Sequence, residues 1–176
     1  MQCFLQGGDH LRLSAVNLCR SALMAVFIAL CSQLIIPLPP VPISLSLFAV
    51  YLTGLMLPPR LGLMTVSVYL LMGLCGLPVF AGLQGGPGVL FGPTGGFLIG
   101  YLPCVWLTAR LKPPAGMGAG FGACCLMGTA WYMLLTRASL QAALWVCILP
   151  FLPGDAVKIG LALLLSKRLK KTAGFI

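Results

Sequence analysis

Long apolar runs, separated by short breaks rich in proline or basic residues, constrain the fold of this chain more than any other feature. The 176 residues are 60% hydrophobic and 7% charged, which lies far outside the range of a water-soluble domain. A bilayer-spanning helix needs about 20 mostly apolar residues, so six helices would use roughly 120 residues. The sequence therefore predicts one all-α integral membrane domain over 1–176, without a soluble catalytic domain.

The apolar runs predict six transmembrane helices, at about residues 18–36, 43–57, 61–75, 94–111, 115–135 and 155–166. Two interpretations stay open for 139–152, which is either a short partly inserted helix or the first half of a long kinked one. Residues 76–93 carry no charge and too many glycines and prolines for a regular helix. They predict a long structured loop between the third and fourth spans, and we expect its part 81–93 to be the gate of any pocket.

The distribution of Lys and Arg predicts the orientation of the chain. With the N-terminus inside, Arg137 is alone on the outer side, and the inner side receives Arg12, Arg20, Arg60, Arg110, Lys112, Lys167, Arg168, Lys170 and Lys171. This split predicts a multi-pass membrane protein with a short cytoplasmic N-terminus (1–17) and a basic cytoplasmic tail (167–176). The net charge of +9 then reflects membrane orientation and does not predict binding to nucleic acid.

An acid and a base lie three residues apart in the segment 150–158 (PFLPGDAVK). Asp155 is one of two acids in the chain, and burying a charged residue at the centre of a spanning helix costs about 2.5–3.5 kcal/mol on insertion scales. If Asp155 caps the helix that restarts after Pro153, Lys158 lies one turn on, on the same face. The pair predicts a polar site in the outer half of the membrane; the alternative is an ion pair that only pins a kinked helix.

The sequence lacks the usual constellations of an enzyme. It has no G-x-S-x-G elbow, no paired carboxylates, no Walker-type loop and one histidine, and the adjacent Cys124 and Cys125 lack metal-site spacing. Binding or transport is the better prediction. Aromatic residues that could form an apolar wall, unless they face lipid or pack in the core, are Phe80, Phe91, Phe97, Tyr101, Trp131 and Tyr132.

Four stretches carry a resemblance to a known family. Residues 76–82 (GLPVFAG), followed by Gly85-Gly86 and by 92–101 (GPTGGFLIGY), resemble the signature of the BioY family of biotin transporters. Residues 36–45 (IPLPPVPISL) are similar to the family's first outer loop, and 150–158 to its P-F-x-P-G-D-x-x-K element. The resemblance covers nearly the whole chain, from about 18 to 168.

The resemblance implies a six-helix S-component that captures biotin on the outer face of a bacterial inner membrane. It further implies a transmembrane coupling protein and two ATPases as partners, which use the ATP, and no cofactor or metal in this chain. In the family, an A-x-x-x-A pattern on the first helix meets the coupling protein. Here Ala25 and Ala29 match it, extended by Ser21, although the same residues could pack against another helix of the chain.

The resemblance also implies the binding residues. We expect Asp155 to accept a ureido N–H of biotin, with Lys158 orienting it or meeting an acceptor. The remaining expected ligand contacts are Phe80, Gly82, Gln84, Gly85, Gly86, Thr94, Gly95, Tyr101, Trp131 and Tyr132; the alternative for Gly95 and its neighbour Gly96 is helix packing. Competing functions are an S-component for another vitamin, a small membrane enzyme and a structural subunit.

Overall fold

The structure is a computed structural model that describes residues 15–36, 43–111, 113–147 and 151–173. Its elements, in chain order, are α1 Ala15–Gln33, β1 Ile35–Ile36, β2 Ile43–Ser44, α2 Ser46–Met56, α3 Pro59–Leu74, α4 Pro87–Leu90, α5 Gly95–Arg110, α6 Ala115–Thr136, α7 Leu140–Cys147 and α8 Phe151–Ala173. The strands form a two-residue antiparallel pair, with Ile35 opposite Ser44. Apart from that pair, the prediction of a helical fold is confirmed.

Prolines set the boundary between α2 and α3. Leu57 is extended (φ −112°, ψ 148°) because the residue before a proline is disfavoured in the helical region. Pro59 then opens α3, at a position where its missing N–H breaks no intrahelical bond. The two helices have 11 and 16 residues, which agrees with the short apolar runs of the sequence.

The start of the last helix differs from the prediction. α8 already begins at Phe151, so Pro153 lies in the first turn, where proline is tolerated. Asp155 therefore lies inside the helix, and the prediction that it caps a helix restarting after Pro153 is wrong. The preceding α7 is an eight-residue helix, and its junction with α8 falls at 148–150, outside the described residues.

Helices α5 and α6 pack closely through glycines. A Cβ added at Gly100 would lie 3.0 Å from Cys124 Cα, and one added at Gly128 would lie 2.5 Å from the ring of Phe97. Small residues of this kind allow close helix approach in membrane proteins. Helix α2 contacts α1, α5 and α8, and α3 contacts α1 and α5.

The distribution of buried and exposed side chains suits a lipid environment. The charged side chains of Asp155 and Lys158 belong to residues only 1% and 6% exposed, whereas the outward-facing Leu23, Leu126 and Leu134 are 69%, 73% and 78% exposed. A protein in water would carry its charges outside. Among the described helices, α1 and α6 are long and apolar enough to cross a membrane by length and composition.

Candidate ligand-binding site

A cavity of about 530 Å³ lies where α1 and α3 end and where α2, α5 and α8 begin. This volume is in the usual range for pockets that hold a small molecule. Its described lining consists of Ser32, Ile35, Ser44, Ser46, Leu47, Tyr69, Phe80, Ala81, Gly82, Gln84, Gly88, Val89, Gly92, Pro93, Thr94, Phe97, Leu98, Tyr101, Phe121, Cys124, Cys125, Asp155 and Lys158. Most of the wall is apolar, with a few polar groups that could orient a ligand.

The charged part of the wall is the Asp155–Lys158 pair of α8. Lys158 Nζ lies 2.9 Å from Asp155 Oδ1, and the two side chains are 8% and 2% exposed. Residues three apart share one face of a helix, which turns both side chains toward the cavity. Apart from the ion pair, no hydrogen bond from the described residues reaches either carboxylate oxygen. The carboxylate, which has about four lone-pair sites, therefore keeps acceptor capacity for a ligand.

The loop between α3 and α4 forms a second part of the wall and is anchored by Phe80. This residue is 1% exposed, and its ring lies edge-on to Tyr69, with centroids 5.6 Å apart and an interplanar angle of 81°. The ring fills the space beside Gly73, where an added Cβ would lie 2.1 Å from the ring. Any larger residue at Gly73 would displace Phe80 and the loop with it.

Side chains at the end of α1 hold the same loop. The amide of Gln33 donates from Nε2 to the carbonyl of Phe80 (3.1 Å) and accepts from the N–H of Leu83 at Oε1 (2.8 Å). Leu83 has a positive φ of 56°, which is uncommon for a residue with a side chain. Ser32 and Tyr69 both donate to the carbonyl of Val79. These bonds fix the part of the loop that faces the cavity.

Seven of the residues expected from the sequence line the cavity. They are Asp155, Lys158, Phe80, Gly82, Gln84, Thr94 and Tyr101. They come from α8, the loop, the start of α5 and the second turn of α5, so distant segments of the chain meet at one place. Thr94 precedes α5 without a side-chain cap.

Five expected residues lie outside the described lining: Gly85, Gly86, Gly95, Trp131 and Tyr132. An added Cβ would meet Leu77 O at 2.3 Å from Gly85 and Leu90 O at 1.7 Å from Gly95, so these glycines serve close backbone packing. Trp131 holds the connection between α4 and α5, because its Nε1 donates to the carbonyl of Gly92 at 3.0 Å.

Several lining residues were not expected from the sequence: Ser32, Ser44, Ser46, Tyr69, Cys124 and Cys125. Small hydroxyls and thiols in an apolar run look like packing residues, since both occur in helix interfaces of membrane proteins. Only the position of Ser44 at the end of a proline-rich outer loop gave a signal. Among the described residues, no three His, Cys, Asp or Glu side chains gather as metal ligands.

The small-residue face of α1 is turned toward its own chain. Ser21 and Ala25 are 5% and 2% exposed, and Ala29 is partly buried against the core. Helix α1 packs against α2 and α3, which corresponds to the alternative of packing within the chain. In this conformation Ser21, Ala25 and Ala29 thus pack within the chain, and their contact with a coupling protein stays a prediction.

Together, these features define a helical membrane protein with a pocket for a small molecule. The sequence profile of the BioY family matches residues 8–175. The chain is 33% identical to a probable biotin transporter BioY of Pyrococcus horikoshii (85% of this chain, 94% of the relative). It is 34% identical to the biotin transporter BioY of Thermotoga maritima (88% and 96%). The chain belongs to the BioY family.

A solved structure shares the fold. It is a crystal structure of the S-component for biotin from an ECF-type ABC transporter, with a TM-score of 0.83 and 28% identity. The similarity covers 96% of this chain and 97% of the other. The helical architecture predicted from the apolar runs is thus that of an S-component.

Proposed function

We propose that this chain is the biotin-binding S-component of an ECF-type importer and is not an enzyme. The observation that carries the proposal is the buried Asp155–Lys158 pair, which faces the cavity in a chain of the BioY family. Relatives over most of the chain are named biotin transporters, which favours biotin over another vitamin and transport over catalysis.

The chemistry of biotin suits this pair. The ureido ring offers two N–H donors and a carbonyl acceptor, while the thiophane ring is apolar. Asp155 accepts a ureido N–H with its spare lone pairs, and Lys158 orients Asp155 or donates to the ureido carbonyl. The phenyl ring of Phe80 and the apolar residues Val89 and Leu98 of the lining then surround the bicyclic ring.

The proposed arrangement in the membrane has six spanning helices, with both termini in the cytoplasm. Its support is the distribution of Lys and Arg, which leaves Arg137 alone outside. The cavity then opens on the outer face of a cell membrane. The polar pair lies near the start of α8, with the basic tail at its other end.

Transport further requires energy from outside this chain. We infer a transmembrane coupling protein and two ATPases as partners, since the sequence has no Walker-type loop of its own. Contact with the coupling protein through Ser21 and Ala25 would require α1 to separate from α2 or α3, because both residues are buried in the chain.

The test is uptake of labelled biotin by bacterial cells that lack biotin transport and produce the chain with an ECF coupling module. Cells should accumulate biotin, excess unlabelled biotin should compete, and riboflavin and thiamine should not. The Asp155→Asn variant, at an equal level in the membrane, should take up little biotin. Accumulation of another vitamin, or equal uptake by Asp155→Asn, would refute the proposed substrate or the proposed site.

A further inference from the structure

Three hydroxyl groups form a hydrogen-bonded chain on the cavity wall, in addition to the charged pair. Ser44 Oγ bonds to Ser46 Oγ, and Ser46 Oγ bonds to the phenolic oxygen of Tyr101. All three residues line the cavity, with Ser46 2% and Tyr101 7% exposed. They belong to β2, α2 and α5, so the fold brings them together from separate elements.

A proton count shows what this hydroxyl chain can offer a ligand. Each hydroxyl has one O–H donor, and two hydrogen bonds between three hydroxyls use two of the three donors. One O–H therefore stays available whatever the direction of the bonds. Either atom of each bond can donate. An anionic ligand group is the strongest acceptor that the chain can meet, and the phenol is its strongest donor, so a bound anion favours donation from Ser44 to Ser46 to Tyr101 and from Tyr101 to the ligand. Such a chain strengthens its terminal donor by polarisation.

The charges of the cavity decide which ligand group this donor suits. Among the described lining residues, Lys158 is the sole cation, and Asp155 already pairs with it. A ligand carboxylate beside Asp155 would be repelled by the like charge. A buried carboxylate must then be stabilised elsewhere by neutral donors, and hydrogen bonds to a charged acceptor are roughly twice as strong as neutral ones.

We propose that the Ser44–Ser46–Tyr101 chain binds the carboxylate of the ligand, with Tyr101 as the donor. This inference rests on the proposed function. It gives the cavity two polar subsites, referred to as two poles, one for each polar end of the ligand. The Asp155–Lys158 pair binds the ureido ring, and the hydroxyl chain binds the end of the valerate tail. Specificity then depends on both poles, because a ligand without a carboxylate leaves the Tyr101 proton unpaired.

The test compares biotin with biotin methyl ester, which lacks the negative charge, by calorimetric titration of the purified chain. Wild type should bind the ester about ten- to a hundredfold more weakly than biotin. Tyr101→Phe should lose a similar factor for biotin and discriminate little between the two ligands. Ser46→Ala keeps the phenol and removes the hydrogen bond that strengthens it as a donor. This variant should therefore lose less biotin affinity than Tyr101→Phe, and its affinity for the ester should fall less than its affinity for biotin.

The matched control is Tyr132→Phe, since Tyr132 is outside the described lining. Loss of its hydroxyl should change the affinity for neither biotin nor the ester. Thermal unfolding without ligand shows whether each variant is folded, and Ser46→Ala carries the test if Tyr101→Phe is not. Discrimination between biotin and ester that is as strong in both variants as in wild type would overturn the inference. A folded wild-type chain that binds neither ligand would overturn the proposed function itself.

Discussion

Removing one member of the Asp155–Lys158 pair should destabilise the chain more than removing both. The side chain of Asp155 is 2% exposed and that of Lys158 8%, and Lys158 Nζ lies 2.9 Å from Asp155 Oδ1, so Lys158→Met leaves an unpaired carboxylate in a buried site. Breaking a buried ion pair in this way costs about 3–5 kcal/mol, which corresponds to a fall of roughly 6–20 °C in unfolding temperature for a chain of this length. The double variant Asp155→Asn, Lys158→Met buries no charge and should recover most of that loss.

The assay is thermal unfolding of the ligand-free chain in detergent, followed by tryptophan fluorescence, together with biotin titration of each variant. The control is Arg137→Met, which removes a cation from an exposed position. Its unfolding temperature should equal that of the wild type within experimental error. The folded double variant should still fail to bind biotin, because both polar anchors are gone. The electrostatic explanation would be refuted if Lys158→Met and the wild type had equal unfolding temperatures, or if the double variant unfolded at as low a temperature as Lys158→Met.

Two further predictions concern the loop between α3 and α4. Gly73→Ala places a Cβ where the ring of Phe80 lies, so it should lower thermal stability by about 1–3 kcal/mol and weaken biotin binding; an unchanged unfolding temperature would contradict this packing. Gln33→Met removes the bonds of the amide to Pro78, Phe80 and Leu83 of the loop. It should speed biotin dissociation about tenfold, measured by stopped flow, because neutral hydrogen bonds each contribute modestly. Equal dissociation rates would show that Gln33 does not hold the loop.

The helices could be predicted from the sequence because membrane spans give a strong one-dimensional signal. The predicted 115–135 corresponds to α6, Ala115–Thr136, and 94–111 to α5, Gly95–Arg110. The first span was predicted three residues too far, since the apolar run continues through 34–36. There the chain leaves the helix, and Ile35–Ile36 pair with Ile43–Ser44. Hydropathy does not distinguish the two, because apolar residues occur in strands as well as in helices.

The charged part of the site was also accessible from sequence, because an acid and a base inside apolar runs are rare and need a reason. The hydroxyl chain was not accessible from sequence, because Ser44, Ser46 and Tyr101 form no motif along the chain. They come into hydrogen-bonding distance only when three separate elements pack together. The fold also decides which side of α1 is buried. Its small residues fit a partner surface and an internal interface equally well by spacing alone.

Calorimetric titration of the purified, ligand-stripped chain with biotin tests the central claim most directly. The account predicts tight binding of one biotin per chain, no binding of riboflavin or thiamine, and loss of biotin binding in a folded Asp155→Asn variant. A folded wild-type chain that does not bind biotin would contradict the proposed function. Unchanged affinity in Asp155→Asn would contradict the assignment of the cavity as its site.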